Sequence, residues 1–225
     1  LRQGQNRLTG TGTLSDQVKA QFDLQMPMLE TLWPGLGGAL KGTLDTSGPR
    51  SAPVFRTDLR GERLAFEQSS IAELSVQGNV TLSDETPGNV TLTAQQVRSG
   101  DTVIGDLLLT LRGNRQSHRL AIQVDGGIGE VDAQLQGSLL AERWQGQLDE
   151  ADIAYGQLDW QLAEPARINY GLNPAQLRIA EHCWRHEGAR LCFQGEQRLL
   201  PDRQLDLALS NFSLSSLADL MPENL

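Results

Sequence analysis

The side chains most capable of chemistry lie together in one stretch, His182-Cys183-Trp184-Arg185-His186-Glu187-Gly188-Ala189-Arg190-Leu191-Cys192. Three chemistries compete for it. A metal site would draw on Cys183, His186 and Cys192, with His182 as a fourth donor. That spacing offers three clean ligands only, because the adjacent His182 and Cys183 cannot easily converge on one ion. A nucleophilic Cys–His pair would need a third group to orient the base and a pocket for substrate, and the sequence marks neither. A hairpin folded about Glu187-Gly188 instead sets Cys183 opposite Cys192, and a directly opposed pair can meet disulfide geometry. Closing a loop of about 10 residues is worth roughly 2.7 kcal/mol if the disulfide acts through chain entropy. This reading favours the staple, with a zinc site second, and it implies an oxidising compartment.

Nothing else in the chain assembles into a reactive constellation. There is no nucleophile elbow, P-loop, zincin helix or dinucleotide fingerprint. His118 stands alone and reads as a solvated residue at a strand edge. Asp149, Glu150 and Asp152 cluster, but at an expected turn, where solvation accounts for them. The expectation is a non-enzyme with no metal and no cofactor.

The elements that carry these residues are strands. Phe22 and Leu24 alternate with Gln21, Asp23 and Gln25. Val76, Val80 and Leu82 alternate with Gln77, Asn79 and Thr81. Leu107, Leu109 and Leu111 repeat the pattern, followed by Leu120, Ile122 and Val124. Val131, Leu135 and Leu139 come next, then Leu148, and finally Leu205, Leu207 and Leu209. In a strand this period of two gathers every apolar side chain on one face. Turn signals such as Ser99-Gly100-Asp101 and Gly113-Asn114 recur at the spacing of successive antiparallel strands, about fifteen in all. Leu8–Leu14, Leu40–Leu44 and Leu135–Leu139 share a loose glycine-punctuated rhythm that suits a stacked array. Two stretches break the pattern and predict short helices near 27–33, between Pro27 and Pro34, and near 213–221, behind Ser213. The fold class expected is all-β: a long, curled, antiparallel-rich sheet, a single elongated trough over residues 1–225 with an apolar concave face.

The composition excludes several functions. A net charge of −9 argues against a nucleic-acid partner, whose phosphates require Lys and Arg. It also disfavours docking on an anionic membrane surface. The longest apolar run, Leu107-Leu108-Leu109, is far too short to cross a bilayer, so any membrane anchor is expected outside this segment. The chain begins at Leu1 without a charged and apolar leader, so no signal peptide is expected within it. Aromatic residues make up only 5%, fewer than a closed β-sandwich usually sets in its core.

The segments LRQGQNRLTGTGTLSD, PGLGGALKGTLDTSGPRSAPVFRTDLRGERL, ERWQGQL, EHCWRHEGARLC and SLADLMPE resemble the middle of proteins of the TamB family, in the AsmA-like group. The resemblance runs over nearly the whole chain. It implies a periplasmic, taco-like trough that bridges the inner and outer membranes of Gram-negative bacteria and conducts phospholipids along its groove. It implies no catalytic residue. Family members pair with the outer-membrane barrel TamA and are linked to assembly of outer-membrane proteins and autotransporters. The family's N-terminal membrane helix and C-terminal domain are not in this sequence, so inner-membrane anchoring and contact with TamA are expected through regions outside it.

The physics of a one-sided sheet agrees with that expectation. Each methylene exposed to water costs about 0.8 kcal/mol, so a sixteen-carbon acyl chain crossing an aqueous gap costs on the order of 12 kcal/mol. A continuous apolar face would remove most of that cost, and the alternating residues above would then touch phospholipid acyl chains. Two other outcomes compete: a chaperone-like module that accepts client strands by β-augmentation, and an ordinary sandwich whose apolar faces fill one another.

Overall fold

The computed structural model describes every residue except Leu82, Ser83, Glu85 and 214–225. Leu82 and nearly all of the helix expected at 213–221 therefore lie outside the described residues. The chain is almost wholly antiparallel strand and divides into two compact units.

The first unit comprises Leu1–Arg115 and Val124–Ile128. Its strands are β1 (Arg2–Gln3), β2 (Asn6–Leu14), β3 (Gln17–Met26), β4 (Leu36–Pro49), β5 (Val54–Phe66), β6 (Ser69–Thr81), β7 (Gly88–Ser99) and β8 (Thr102–Gly113). From β2 to β8 each strand pairs antiparallel with the next in sequence. This meander is what tight turns at regular spacing dictate.

Where a short helix was expected near 27–33, the chain forms a single 3-10 turn at Leu29–Thr31. The prolines at 27 and 34 leave too little chain for i→i+4 bonding, and the observed bonds are i→i+3, Thr31 N to Met28 O and Leu32 N to Leu29 O. The turn is pinned to the start of β2 by Asn6, only 2% exposed. The Asn6 amide donates to Met28 O and Thr31 Oγ1, each at 2.7 Å, and its Oδ1 accepts from Met28 N at 3.1 Å.

The second unit comprises Gln116–Gln123 and Gly129–Leu225. It holds the first residues of β9 (His118–Gly126), then β10 (Gly129–Leu140) and β11 (Arg143–Tyr155). Seven short strands follow: β12 (Leu158–Leu162), β13 (Ala166–Leu172), β14 (Ala175–Ile179), β15 (His182–His186), β16 (Ala189–Phe193), β17 (Gln197–Leu200) and β18 (Leu207–Ser210). β12 and β13 both pair with β11, one against each half of it. β15 then pairs with β12 and β14 with β13, while β16 pairs with β15 and β17 with β14. The six strands β12 to β17 are thus three longer paths, each interrupted at the same level: at Ala163–Pro165, at Ala180–Glu181 and at Gln194–Glu196. The interruptions align in a seam across the sheet. Pro165 lacks an N–H and Gly195 takes a positive φ of 70°, both suited to leaving a ladder. Hydrogen bonds from Ala163 N to Cys183 O and from Ala180 N to Arg167 O keep the seam closed, at 2.8 and 2.9 Å.

Some expectations do not hold. Leu205 was expected in a strand with Leu207 and Leu209, but the ladder begins only at Leu207. Asp149, Glu150 and Asp152 are not at a turn; they sit inside β11, where the Asp149 carboxylate accepts hydrogen bonds from the Gln136 and Gln147 amides. His118 is not a solvated edge residue. It is half-buried, and its Nε2 accepts the Trp144 indole N–H at 2.6 Å.

Candidate functional site

Cross-strand register shows which side chains share a face, because directly opposed residues point the same way. In the first unit one line of opposed residues runs Leu8, Leu24, Gly42, Leu59, Val76, Leu92 and Leu109 across β2 to β8. The neighbouring line runs Gly10, Phe22, Leu44, Thr57, Gly78, Val90 and Leu111. On the other side of these, Met26, Leu40, Gly61, Leu74, Ala94 and Leu107 oppose one another. Val80 opposes Phe55 on the same face. The opposite face reads Thr9, Asp23, Thr43, Asp58, Gln77, Thr91 and Thr110 along one line.

Phe22, Leu24, Val76, Val80, Leu107, Leu109 and Leu111 are therefore brought together on one dry face of this unit. Val124 is half-buried in the short return segment of the same unit. The dry face also carries Leu8, Leu40 and Leu74, and with them Leu59 and Leu92, which the sequence reading did not single out. Their alternation is present in the sequence, but glycines and threonines at positions such as Gly42, Gly61 and Thr57 dilute it.

The second unit repeats the arrangement. Val131 opposes Ile153, Leu135 opposes Leu148, and Leu139 opposes Trp144. Trp144 in turn opposes Tyr170, and Leu148 opposes Ala166. Leu120 and Ile122 keep the parity of His118, which meets Trp144 on the dry side, while Gln123 pairs with Asp132 on the wet side at 2.8 Å. Beyond the seam, Leu162 opposes Trp184, Trp184 opposes Leu191, and Leu191 opposes Leu209. Leu207 opposes Phe193.

Glycine on the dry face is covered by rings rather than left bare. A Cβ at Gly10 would stand 2.6 Å from the Phe22 ring, and one at Gly137 2.5 Å from the Trp144 ring. Each ring lies across the gap its glycine leaves.

Among the described residues, no second layer of large aliphatic side chains fills these faces. Among the described residues the buried hydrophobic side chains are Leu29, Ala94, Ala151, Ala166, Cys183 and Ala189. Leu29, the one large aliphatic, belongs to the 3-10 turn. Phe22, Leu44 and Val80 are more than a third exposed, and the other large aliphatic and aromatic residues of the two dry faces are half-buried or more exposed still, whereas His182 and His186 of the second unit are buried and Phe212 stacks on Trp160. A closed sandwich would bury such residues almost completely.

The reactive stretch has a structural explanation. Cys183 and Cys192 are directly opposed and bonded to each other on the wet face of the β15–β16 hairpin. His182 and His186 project from the dry face instead. His182 stacks on Phe193 with ring centroids 4.5 Å apart and interplanar angle 6°, and His186 lies 5.4 Å from the Trp160 ring. The zinc alternative fails because both sulfurs are consumed and the histidines point the other way.

Two cavities stand out. One of about 610 Å³ in the first unit is lined in part by Lys41, Asp58, Arg60 and Glu62. Those charges already pair with one another, Lys41 with Glu62 at 3.1 Å and Arg60 with Asp58 at 3.6 Å. The other, of about 360 Å³ in the second unit, lies over the seam among Trp160, Ile179, Trp184, Leu191, Phe193 and Leu199, with Leu205 at its margin.

An open, one-sided β-sheet with a dry face across seven paired strands defines a class of apolar-faced extended β proteins. The family model described as TamB, N-terminal domain, matches residues 1–225, and the chain belongs to that family. Among relatives, a protein of Haemophilus influenzae named translocation and assembly module subunit TamB is 27% identical over 196 residues, covering 86% of this chain and 15% of the relative. The chain thus spans about 15% of the length of that relative. No solved structure matches.

Proposed function

We propose that this chain is a non-catalytic segment of a periplasmic bridge in a Gram-negative envelope, and that its dry faces carry phospholipid acyl chains between the two membranes. The observation that carries this reading is the emptiness of those faces: long lines of opposed aliphatic side chains that no other part of the described chain covers. An uncovered face of that kind is costly in water at about 25 cal/mol per Å² unless something apolar rests on it. Acyl chains fit because the face is aliphatic and continuous from strand to strand, with no fixed charge to hold a headgroup. The wet face, rich in Thr, Asn, Gln and Asp, stays in water.

Family membership agrees with a role in outer-membrane biogenesis alongside the barrel TamA. Contact with that barrel and anchoring in the inner membrane belong, in this reading, to other parts of the longer protein. Native mass spectrometry of the purified chain tests the proposal. Phospholipid adducts that survive desalting support it. A lipid-free chain that instead retains unfolded outer-membrane polypeptide would favour capture of client strands.

A further inference from the structure

The two dry faces are not alike. In the first unit the face is aliphatic, with Phe22 and Phe55 as its rings in the paired region. In the second, aromatic rings crowd the seam. The cavity there is bounded on one side by Ile179 and Leu199 and on the other by Trp160, Trp184, Leu191 and Phe193, so a guest would be held from both sides of the seam.

We propose that the seam cavity is a holding site for a single hydrocarbon chain, kept in shape by the Cys183–Cys192 staple. This rests on the reading that the dry faces carry acyl chains, and adds a place where one tail stops.

Size selects the occupant. About 360 Å³ lies at the low end of ligand-sized pockets, and a helix, some 10–12 Å across with its side chains, does not fit. Chemistry selects it too. The two polar residues at the cavity are already engaged with their own chain. Gln197, 2% exposed, donates from Nε2 to Gln194 O at 2.7 Å, and its Oε1 accepts from Asp206 N at 2.9 Å. His182, 7% exposed, donates from Nδ1 to Ala180 O at 2.8 Å and lays its ring flat on Phe193. Hydrocarbon needs no more than these walls provide, whereas a polar ligand would lose its hydration without replacement.

The disulfide occupies the position between two cavity pairs. His182 opposes Phe193 on one side of the Cys183–Cys192 pair, and Trp184 opposes Leu191 on the other. The sulfurs face away from the cavity, yet they fix the spacing of the strands that wall it. Gln197 acts from the far side by tying the Gln194–Gly195 corner to Asp206. A tail that slides freely over a plain aliphatic face would pause here, in contact with rings on several sides.

Tryptophan emission reads this site directly. The probe is a phosphatidylcholine brominated midway along one acyl chain, which quenches indoles it touches. It is added to the full 225-residue chain carrying Trp33→Phe, Trp144→Phe and Trp160→Phe, so that Trp184 reports alone. The expected result is quenching that saturates at one lipid per chain. Leu191→Lys should weaken it at least tenfold, and Leu191→Phe, which fills space without adding charge or a second indole, should weaken it too. Leu109→Lys in the first unit should change it less than twofold. The paired Cys183→Ala and Cys192→Ala substitutions should weaken it several-fold while circular dichroism still reports strand.

Trp184 that stays bright while a photoreactive residue at Leu109 traps lipid would overturn the holding site and leave the conduit standing. Equal loss from Leu191→Lys and Leu109→Lys would also overturn it. A chain that takes up no lipid at either position would overturn the conduit, and the holding site with it.

Discussion

Leu92 sits on the dry line that runs from Leu8 to Leu109, opposite Val76 on β6 and Leu109 on β8, and is half-buried. Replacing it by Asp separates a filled core from an open face. Full burial of a Leu side chain is worth about 1.5–3 kcal/mol, so half-burial is worth about 1 kcal/mol. For a chain of this length each kcal/mol lowers Tm by about 2–4 °C. The reduced strand preference of Asp adds up to about 1 kcal/mol, and Thr91→Asp on the opposite face carries that same cost. The account therefore predicts that Leu92→Asp folds and melts only a few degrees below Thr91→Asp. In a sealed core the unpaired charge would cost about 3–5 kcal/mol more, enough to abolish the transition.

Function should respond far more steeply than stability. A carboxylate facing hydrocarbon costs about 2.5–3.5 kcal/mol, which at 1.4 kcal/mol per decade is roughly a hundredfold loss of acyl-chain occupancy at that line. Asp is too short to lift its charge away from the face, as a longer side chain could. The assay pairs a thermal melt with the yield of phospholipid adduct on a photoreactive residue at Val76. A collapse in adduct yield with a near-normal melt is expected for Leu92→Asp and not for Thr91→Asp. Unfolding by Leu92→Asp, or equal adduct yields from the two variants, would refute the reasoning.

Three further outcomes follow from local geometry. Removing the staple by Cys183→Ala with Cys192→Ala should cost roughly 2–3 kcal/mol, seen by calorimetry as a lower transition for the second unit with the first unchanged. Asn6→Ala removes the hydrogen bonds to Met28 and Thr31 and should cost about 1–3 kcal/mol locally, seen as faster hydrogen exchange across residues 28–32. Trp144→Ala uncovers Gly137 and strips His118 of its indole donor, so it should destabilise the second unit by about 3 kcal/mol, while Trp144→Phe keeps the cover and should cost clearly less.

The face that each apolar residue takes was legible because a strand has no freedom there: a period of two places Leu107, Leu109 and Leu111 together whatever surrounds them. The staple was legible for a similar reason, since a tight hairpin around Glu187-Gly188 fixes Cys183 opposite Cys192. Whether the face is filled was not legible. Phe22 and Leu24 would alternate in the same way in a closed sandwich, and only their exposure in three dimensions separates the cases. The seam was hidden as well. Pro165, Glu181 and Gly195 look like unrelated punctuation until register brings them level. His118 and Trp144 lie far apart in sequence, and no local pattern announces that one accepts the other's proton donor. The Asp149–Asp152 carboxylates misled because charge clusters usually mark turns, whereas here they lie within β11, Glu150 and Asp152 exposed and Asp149 half-buried against the Gln136 and Gln147 amides.

The most direct test of the central claim places a photoreactive residue in turn at Leu109, Ile122, Thr110 and Gln136 in the full-length protein in living cells. The account predicts phospholipid adducts at Leu109 and Ile122, on the dry faces, and none at Thr110 or Gln136. Equal labelling of both faces, or adducts made of polypeptide alone, would contradict it.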